Sequence, residues 1–278
     1  MPQFTPALDR VQQGAQQATR QAAPWIEKLA RMGYAAKGVV YTVVGLLALQ
    51  AALGGPQATD SSGALRTIVS QPFGRILLGI VALGLVGYVV WRFVAAFLNP
   101  EGEKTSKRVG YAISGVIHIG LALQAIRLAM GRASGGNGDQ ASHWTAEVMS
   151  HPFGRWLVVL GGLGVAGFGI QQLYKAYTVE LDKQLALGSL SADARSWVVR
   201  VGRAGLAARG VVFAIVGLFL LLAALQTDPG EARGIGGALQ TLERQPFGPW
   251  LLGLVAIGLV AYGIYELVRA RYRRIQPA

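Results

Sequence analysis

Gln71-Pro72-Phe73-Gly74-Arg75 returns as His151-Pro152-Phe153-Gly154-Arg155 and again as Gln245-Pro246-Phe247-Gly248-Pro249. Each copy opens a long apolar run. A second phrase stands upstream of each: Arg31-x-Gly33-Tyr34-Ala35 with Gly38, Arg108-x-Gly110-Tyr111-Ala112 with Gly115, and Arg203-x-Gly205-Leu206-Ala207 with Gly210. Two phrases recurring together in one layout mean a single structural unit written three times.

The composition states the solvent. Of 278 residues 52% are apolar and only 14% charged, against about a quarter charged in a soluble domain. A bilayer core of roughly 30 Å takes about 20 helical residues. Six runs reach that length: Tyr34–Leu53, Ile76–Leu98, Val109–Met130, Trp156–Tyr177, Gly205–Gln226 and Trp250–Val268. The expected fold class is all-α integral membrane, with six transmembrane helices as three parallel two-helix repeats around a pseudo-threefold axis. The units fall at residues 32–98, 99–177 and 178–270, the third preceded by a polar linker. Residues 1–31 precede them and a basic tail, 271–278, follows.

The net charge of +12 is topological. Of the 26 Lys and Arg residues, 19 lie in the N-terminal segment, the two even-numbered links and the tail, and seven in the three other loops. The positive-inside rule places both termini in the cytoplasm of a bacterial inner membrane and the three Pro-Phe-Gly loops outside. The expected partners are the bilayer and anionic headgroups at the cytoplasmic face, with a homo-oligomer or a membrane-protein partner open; nucleic acid is not among them. The preponderance of Arg over Lys fits a bacterial source. There is no cysteine, which removes disulfides, thiolate ligands and a cysteine nucleophile. Residues 1–31 are polar and lead straight into the first span, so no cleavable signal is expected. Phe4, Leu8, Val11, Ala15, Ala18, Ala22, Trp25 and Leu29 form one stripe, which predicts a helix on the inner leaflet.

Within the repeats, the Pro-Phe-Gly residues (Pro72, Phe73, Gly74; Pro152, Phe153, Gly154; Pro246, Phe247, Gly248) are expected to start the second spans. The proline would sit in the first turn, the phenylalanine would anchor at the outer interface, and Arg75 and Arg155 would snorkel to headgroups. A short amphipathic stretch precedes each copy. Small pairs in the second spans, Gly84/Gly87, Gly164/Gly167 and Gly258/Ala261, each precede an aromatic (Tyr88, Phe168, Tyr262) and predict close helix packing.

Ionisable groups inside spans are the candidate functional residues. On the odd spans, matched positions give Lys37, Ser114 and Arg209, then one turn on Tyr41, His118 and Phe213. If these faces converge they line an axial cavity, a basic ring suited to an anion; alternatively Lys37 and Arg209 snorkel to the inner headgroups. His118 is a proton relay or a neutral hydrogen-bonded side chain. On the even spans the matched set is Arg92, Gln172 and Glu266, where an interhelical ion pair is expected and a coupling carboxylate is the alternative. Asp139, His143, Glu147 and His151 have four-residue spacing, a pattern for a divalent ion too weak to assign a metal site. No nucleophile–base set, phosphate loop or cofactor motif is present, and no enzyme activity or cofactor is expected.

These phrases, with Gly-Val-Val-Tyr after the first and Leu-Leu-Gly and Ala-Leu-Gly-Leu-Val after the second, resemble the bacterial membrane family called domain of unknown function 1206. The resemblance spans about residues 31–270 and implies a six-span inner-membrane protein. The third copy departs at Leu206 and Pro249, the second at Ser114 and His118. The expected function is binding or passage of a small solute, ion or lipid along the bundle axis; the alternative is a scaffold or partner-binding protein with a solid core.

Overall fold

A computed structural model describes residues 5–98, 104–132, 140–178, 181 and 185–273; of residues 5–24, 26 and 140 only the backbone is described. Among these residues the chain is all helical: α1 (Thr5–Ala52), α2 (Ser61–Val69), α3 (Gly74–Phe97), α4 (Thr105–Ala129), α5 (Gln140–Met149), α6 (Gly154–Thr178), α7 (Ala192–Gln226), α8 (Ile235–Glu243) and α9 (Gly248–Tyr272). Six segments are long and apolar enough to cross a membrane: Glu27–Ala52 of α1, and α3, α4, α6, α7 and α9. Their outer faces carry exposed aliphatic side chains such as Ile80, Leu83, Ile117, Leu160, Leu254 and Ile257, as a lipid solvent requires. The helices of α1, α7 and α9 extend beyond the apolar runs at the ends opposite the Pro-Phe-Gly turns; in α1 and α9 the charged side chains Arg31 and Arg269 there are held within the protein. The helix expected at 1–31 is continuous with the first span in α1. Its apolar stripe from Phe4 to Ala22 lies outside the described side chains, as does the tail beyond Arg273.

The Pro-Phe-Gly motif is a turn, and here the structure corrects the expectation that proline begins the span. Gly74 N–H donates to Gln71 C=O at 2.8 Å, with Pro72 and Phe73 at the turn's centre. Phe73 is left-handed (φ 60°), as are Phe153 (62°) and Phe247 (60°). Proline holds the first central residue near φ −65°, and a positive φ next gives the type II arrangement, whose usual second residue is glycine. Phenylalanine there costs about 1–2 kcal/mol. Its ring is 80–81% exposed in all three copies, standing out from the helix ends where an interfacial anchor would. The following glycine is fixed by close approach. A methyl on Gly154 would fall 1.8 Å from Val148 C=O, and one on Gly248 1.8 Å from Glu243 C=O. The short helices α2, α5 and α8 thus end directly beneath the starts of α3, α6 and α9.

The motif arginines are exposed and also touch the neighbouring repeat. Arg155 donates to Leu225 C=O at 3.2 Å, and the Arg75 guanidinium lies against Gly131. Each therefore reaches the C-terminal end of the next repeat's first span, where helix carbonyls lack partners. In two copies the arginine of the upstream phrase does the same at the opposite end of the bundle. Arg31 donates to Ala270 C=O at 2.8 Å and Arg271 C=O at 2.6 Å; Arg108 donates to Ala96 C=O at 2.8 Å and Phe97 C=O at 3.2 Å. A cation at a helix C-terminus also meets the negative end of its dipole.

Helix packing follows the repeat with one break. The second span of each repeat packs against the first span of the next: α3 on α4, α6 on α7, and α9 on α1. The contacts match. Gly38 meets Leu267, Gly115 meets Phe93 and Gly210 meets Leu173, three glycines on one face opposite three side chains at one register. Within repeats, α1 packs on α3 and α7 on α9, whereas α4 and α6 do not pack along their length. The six spans therefore form an arc in the order α4, α3, α1, α9, α7, α6. The closed pseudo-threefold ring expected from the sequence is incomplete, with a seam between the two spans of the second repeat.

Candidate functional site

The six axial candidates come together, at the three joints between repeats instead of around an open channel. Each joint is built on an even-span aromatic. At the α9–α1 joint, Lys37 Nζ donates to Tyr262 Oη at 2.9 Å and the Tyr41 ring meets the Tyr262 ring at 4.8 Å. At the α3–α4 joint, the Ser114 and Tyr88 hydroxyls are 3.5 Å apart and His118 meets Tyr88 ring to ring at 4.7 Å. At the α6–α7 joint, Arg209 lies 5.0 Å from the centre of the Phe168 ring, and Phe213 meets Phe168 at 5.3 Å. The expected Tyr–His–Phe layer is therefore divided among three interfaces. Lys37 and Arg209 do not snorkel: they are 3% and 8% exposed. They lie 15 and 17 residues from the outer ends of α1 and α7, about 22–26 Å at 1.5 Å per residue.

The three joints converge through α1, α7 and α9. Arg209 Nε donates to Tyr41 Oη at 3.3 Å, linking the first and third repeats across the bundle. Its guanidinium also faces the rings of Phe213 (4.8 Å), Tyr262 (4.9 Å) and Tyr41 (5.7 Å). Lys37 faces Tyr88 at 5.2 Å and Tyr262 at 5.3 Å. Such cation–π contacts offset part of the cost of burying a cation.

Of the three even-span candidates, Glu266 is fully buried. Its Oε1 accepts from Lys37 (3.3 Å), Arg269 (2.9 Å) and the Tyr262 hydroxyl, while Oε2 has no partner among the described residues. The expected interhelical ion pair is thus the one to Lys37. Arg92 meets no carboxylate. It donates from Nη2 to Tyr88 Oη at 2.5 Å and lies between the Tyr88 and Tyr111 rings, with Nε unpartnered. Gln172 is buried. Its counterparts use the tyrosine four residues earlier on the same face; at that place Gln172 has Phe168, which offers no hydroxyl. His118 donates from Nδ1 to its own helix, Ser114 C=O, at 2.8 Å.

Sequence reading missed Arg269, which was counted with the cytoplasmic charges although it sits three residues after Glu266 on one helix face. It also missed Tyr34, whose hydroxyl accepts from Trp91 Nε1 at 3.3 Å and from Arg273 and whose ring lies 4.5 Å from Arg269. Tyrosine at both Tyr34 and Tyr111, with leucine at Leu206, was the signal. In the second outer loop His151 binds its own helix carbonyl at Glu147 (2.9 Å), Asp139 lies outside the described residues, and no metal-ligating cluster occurs among those described.

The centre thus gathers Lys37, Arg209 and Arg269 near one carboxylate, with Arg92 held apart on the Tyr88 and Tyr111 rings. Arg209 and Arg92 have no salt bridge among the described residues. Beyond its bond to Tyr41, Arg209 has no hydrogen-bond acceptor among them. Chemically, fixed donors in a low-dielectric surround are the features that suit an anion.

The uncharacterized protein YxxB of Bacillus subtilis (strain 168) is 35% identical over 272 residues, covering 96% of this chain and 97% of that protein. No solved structure matches the chain. Residues 32–99, 109–179 and 204–273 each match the family described as Domain of Unknown Function (DUF1206), unit for unit with the three pairs of spans; the chain belongs to that family.

Proposed function

We propose that this protein is a non-enzymatic bacterial inner-membrane protein, with both termini cytoplasmic, that binds an anion or the anionic group of an amphiphile between its spans. The observation that carries this is Arg209: nine-tenths buried, aromatic on several sides, and without a carboxylate. A buried cation without a direct ion-pair partner is expensive, and a bound anion would supply one. The ring contacts of Tyr41, Tyr262, Phe168 and Phe213 fill the space between the spans. They favour binding over free passage along an axis, and they equally suit a scaffold with a solid core.

Thermal unfolding of the detergent-purified protein tests the reading, with oleate, inorganic phosphate and chloride as probes. A ligand at about 100 times its Kd stabilises by about 2.7 kcal/mol. At least one probe is expected to raise the midpoint in the native chain and not in Arg209→Gln. Equal responses in both would remove the site. Single cysteines at Tyr41, His118 and Phe213 then separate passage from binding, since labelling of all three by an impermeant thiol reagent requires a water-filled path.

A further inference from the structure

Each joint between repeats stacks an odd-span ring on an even-span ring: Tyr41 on Tyr262 at 4.8 Å, His118 on Tyr88 at 4.7 Å and Phe213 on Phe168 at 5.3 Å. Any aromatic ring meets the packing need at this place. Of the three copies only the second puts an imidazole there, and so a base. His118 Nδ1 is bonded to Ser114 C=O at 2.8 Å. A carbonyl only accepts, so Nδ1 carries the hydrogen and Nε2 is the bare nitrogen of the neutral ring. A proton added at Nε2 leaves the Ser114 bond intact, because both nitrogens of the charged ring donate.

The charges that act most strongly on this ring are positive. Lys37 of α1, Arg92 of α3 and Arg209 of α7 all lie within electrostatic reach of His118. Lys37 and Arg92 share the Tyr88 ring with it, at 5.2 and 4.7 Å from the ring centre. On α4 itself the neighbour one turn away is the uncharged Ser114. Glu266, the carboxylate of the centre, commits its Oε1 to Lys37, Arg269 and the Tyr262 hydroxyl. His118 is therefore a base held in a positive field, and a further like charge in a low-dielectric interior is expensive. A bound anion reverses the sign of that field. It draws a proton to Nε2, and by reciprocity the proton strengthens the hold on the anion.

We propose that the anion site takes up a proton together with its anion, the proton going to Nε2 of His118. This rests on the anion reading above and adds a regulation to it: affinity for the anion falls as pH rises. Where one proton enters with each anion, the dissociation constant rises about tenfold per pH unit. Loading the two together also leaves the net charge of the bundle unchanged, which the interior of a membrane favours.

The test uses the full chain in detergent, with chloride and octanesulfonate as probes, since both keep a fixed charge from about pH 5 to 8, where a histidine titrates. Calorimetric titration in two buffers of different ionisation enthalpy counts the protons taken up per anion. The native chain is expected to take up about one proton per anion, with the dissociation constant rising about tenfold per pH unit. His118→Phe keeps the ring, as Phe213 does in the third repeat, and His118→Gln keeps a polar side chain. Both are expected to bind without proton uptake, at the affinity the native chain has at high pH. Proton uptake undiminished in both His118 variants overturns the proposal. So does Arg209-dependent binding in the native chain without proton uptake; in either case the anion site stands. Loss of binding at high pH in both His118 variants makes the ring a direct contact and overturns the linkage as well. If neither probe binds in a way that Arg209→Gln abolishes, the anion reading falls and this inference with it.

Discussion

Lys37 on α1 reaches Glu266 on α9 at 3.3 Å, with the two side chains 4% and 0% exposed. The pair closes the joint between the last repeat and the first, where no covalent connection helps. Removing one partner strands the other in a low-dielectric interior, at about 3–5 kcal/mol.

Glu266→Gln is therefore expected to lower stability by about 3–5 kcal/mol, since Arg269 loses its acceptor along with Lys37. Lys37→Met in the same chain should recover part of the loss, because the second change removes a charge already stranded. Chemical denaturation in mild detergent measures this as a double-mutant cycle. Strict additivity of the two losses would show that the pair does not act as one unit.

The small-residue pairs give a contrast internal to one molecule. Gly84→Ala and Gly258→Ala place a methyl against Ala36 and Ala208, and overpacking of that kind costs about 1–3 kcal/mol. Gly164→Ala meets nothing within 4 Å and should be neutral or slightly stabilising, as alanine is the better helix former by about 1 kcal/mol. Thermal melts of the three variants read the difference directly. A loss at Gly164 as large as at Gly84 would mean that α4 and α6 pack together in solution.

Much of the architecture was legible because the two recurring phrases and the six apolar runs have the same period, so spans, units and joint-forming glycines could be placed by arithmetic. The open seam was not legible from those glycines, since the second copy keeps them all. The second repeat differs in having Ile113 at the place of Ala36 and Ala208, a change that no packing partner makes legible in one dimension. The candidate residues were found by matched position, but their direction was not. A lysine such as Lys37 can reach headgroups or a buried acid from the same helix, and only the tertiary arrangement decides. Arg269 was misplaced for the same reason: beside a basic tail it reads as topology, and beside Glu266 it is part of the site.

The turn motif makes a prediction of unusual sign. Phe73 occupies a left-handed conformation that glycine adopts without strain, so Phe73→Gly should stabilise the detergent-solubilised protein by about 1 kcal/mol. In liposomes the lost ring should offset this if the phenylalanine anchors at the interface. Gly154→Ala, forced to within 1.8 Å of Val148 C=O, should prevent accumulation of folded protein. Size-exclusion profiles and melts of the two variants, each in detergent and in liposomes, test both halves. A stabilised Gly154→Ala would refute the turn geometry.

The arginines of the upstream phrase should differ in worth although the phrase repeats. Arg31 and Arg108 each donate to two terminal carbonyls of the preceding even span. Arg203 makes no such bond among the described residues and is exposed. A charge-assisted bond at a helix end contributes about 1–2 kcal/mol. Arg31→Gln and Arg108→Gln are expected to lose that much, and Arg203→Gln to stay within about 0.5 kcal/mol of the parent. Hydrogen exchange at the inner ends of α9 and α3 gives a local readout, since an uncapped terminus frays first. Faster exchange confined to α9 in Arg31→Gln and to α3 in Arg108→Gln supports capping of the preceding span. Uniform exchange throughout either variant would instead make the arginine a surface charge.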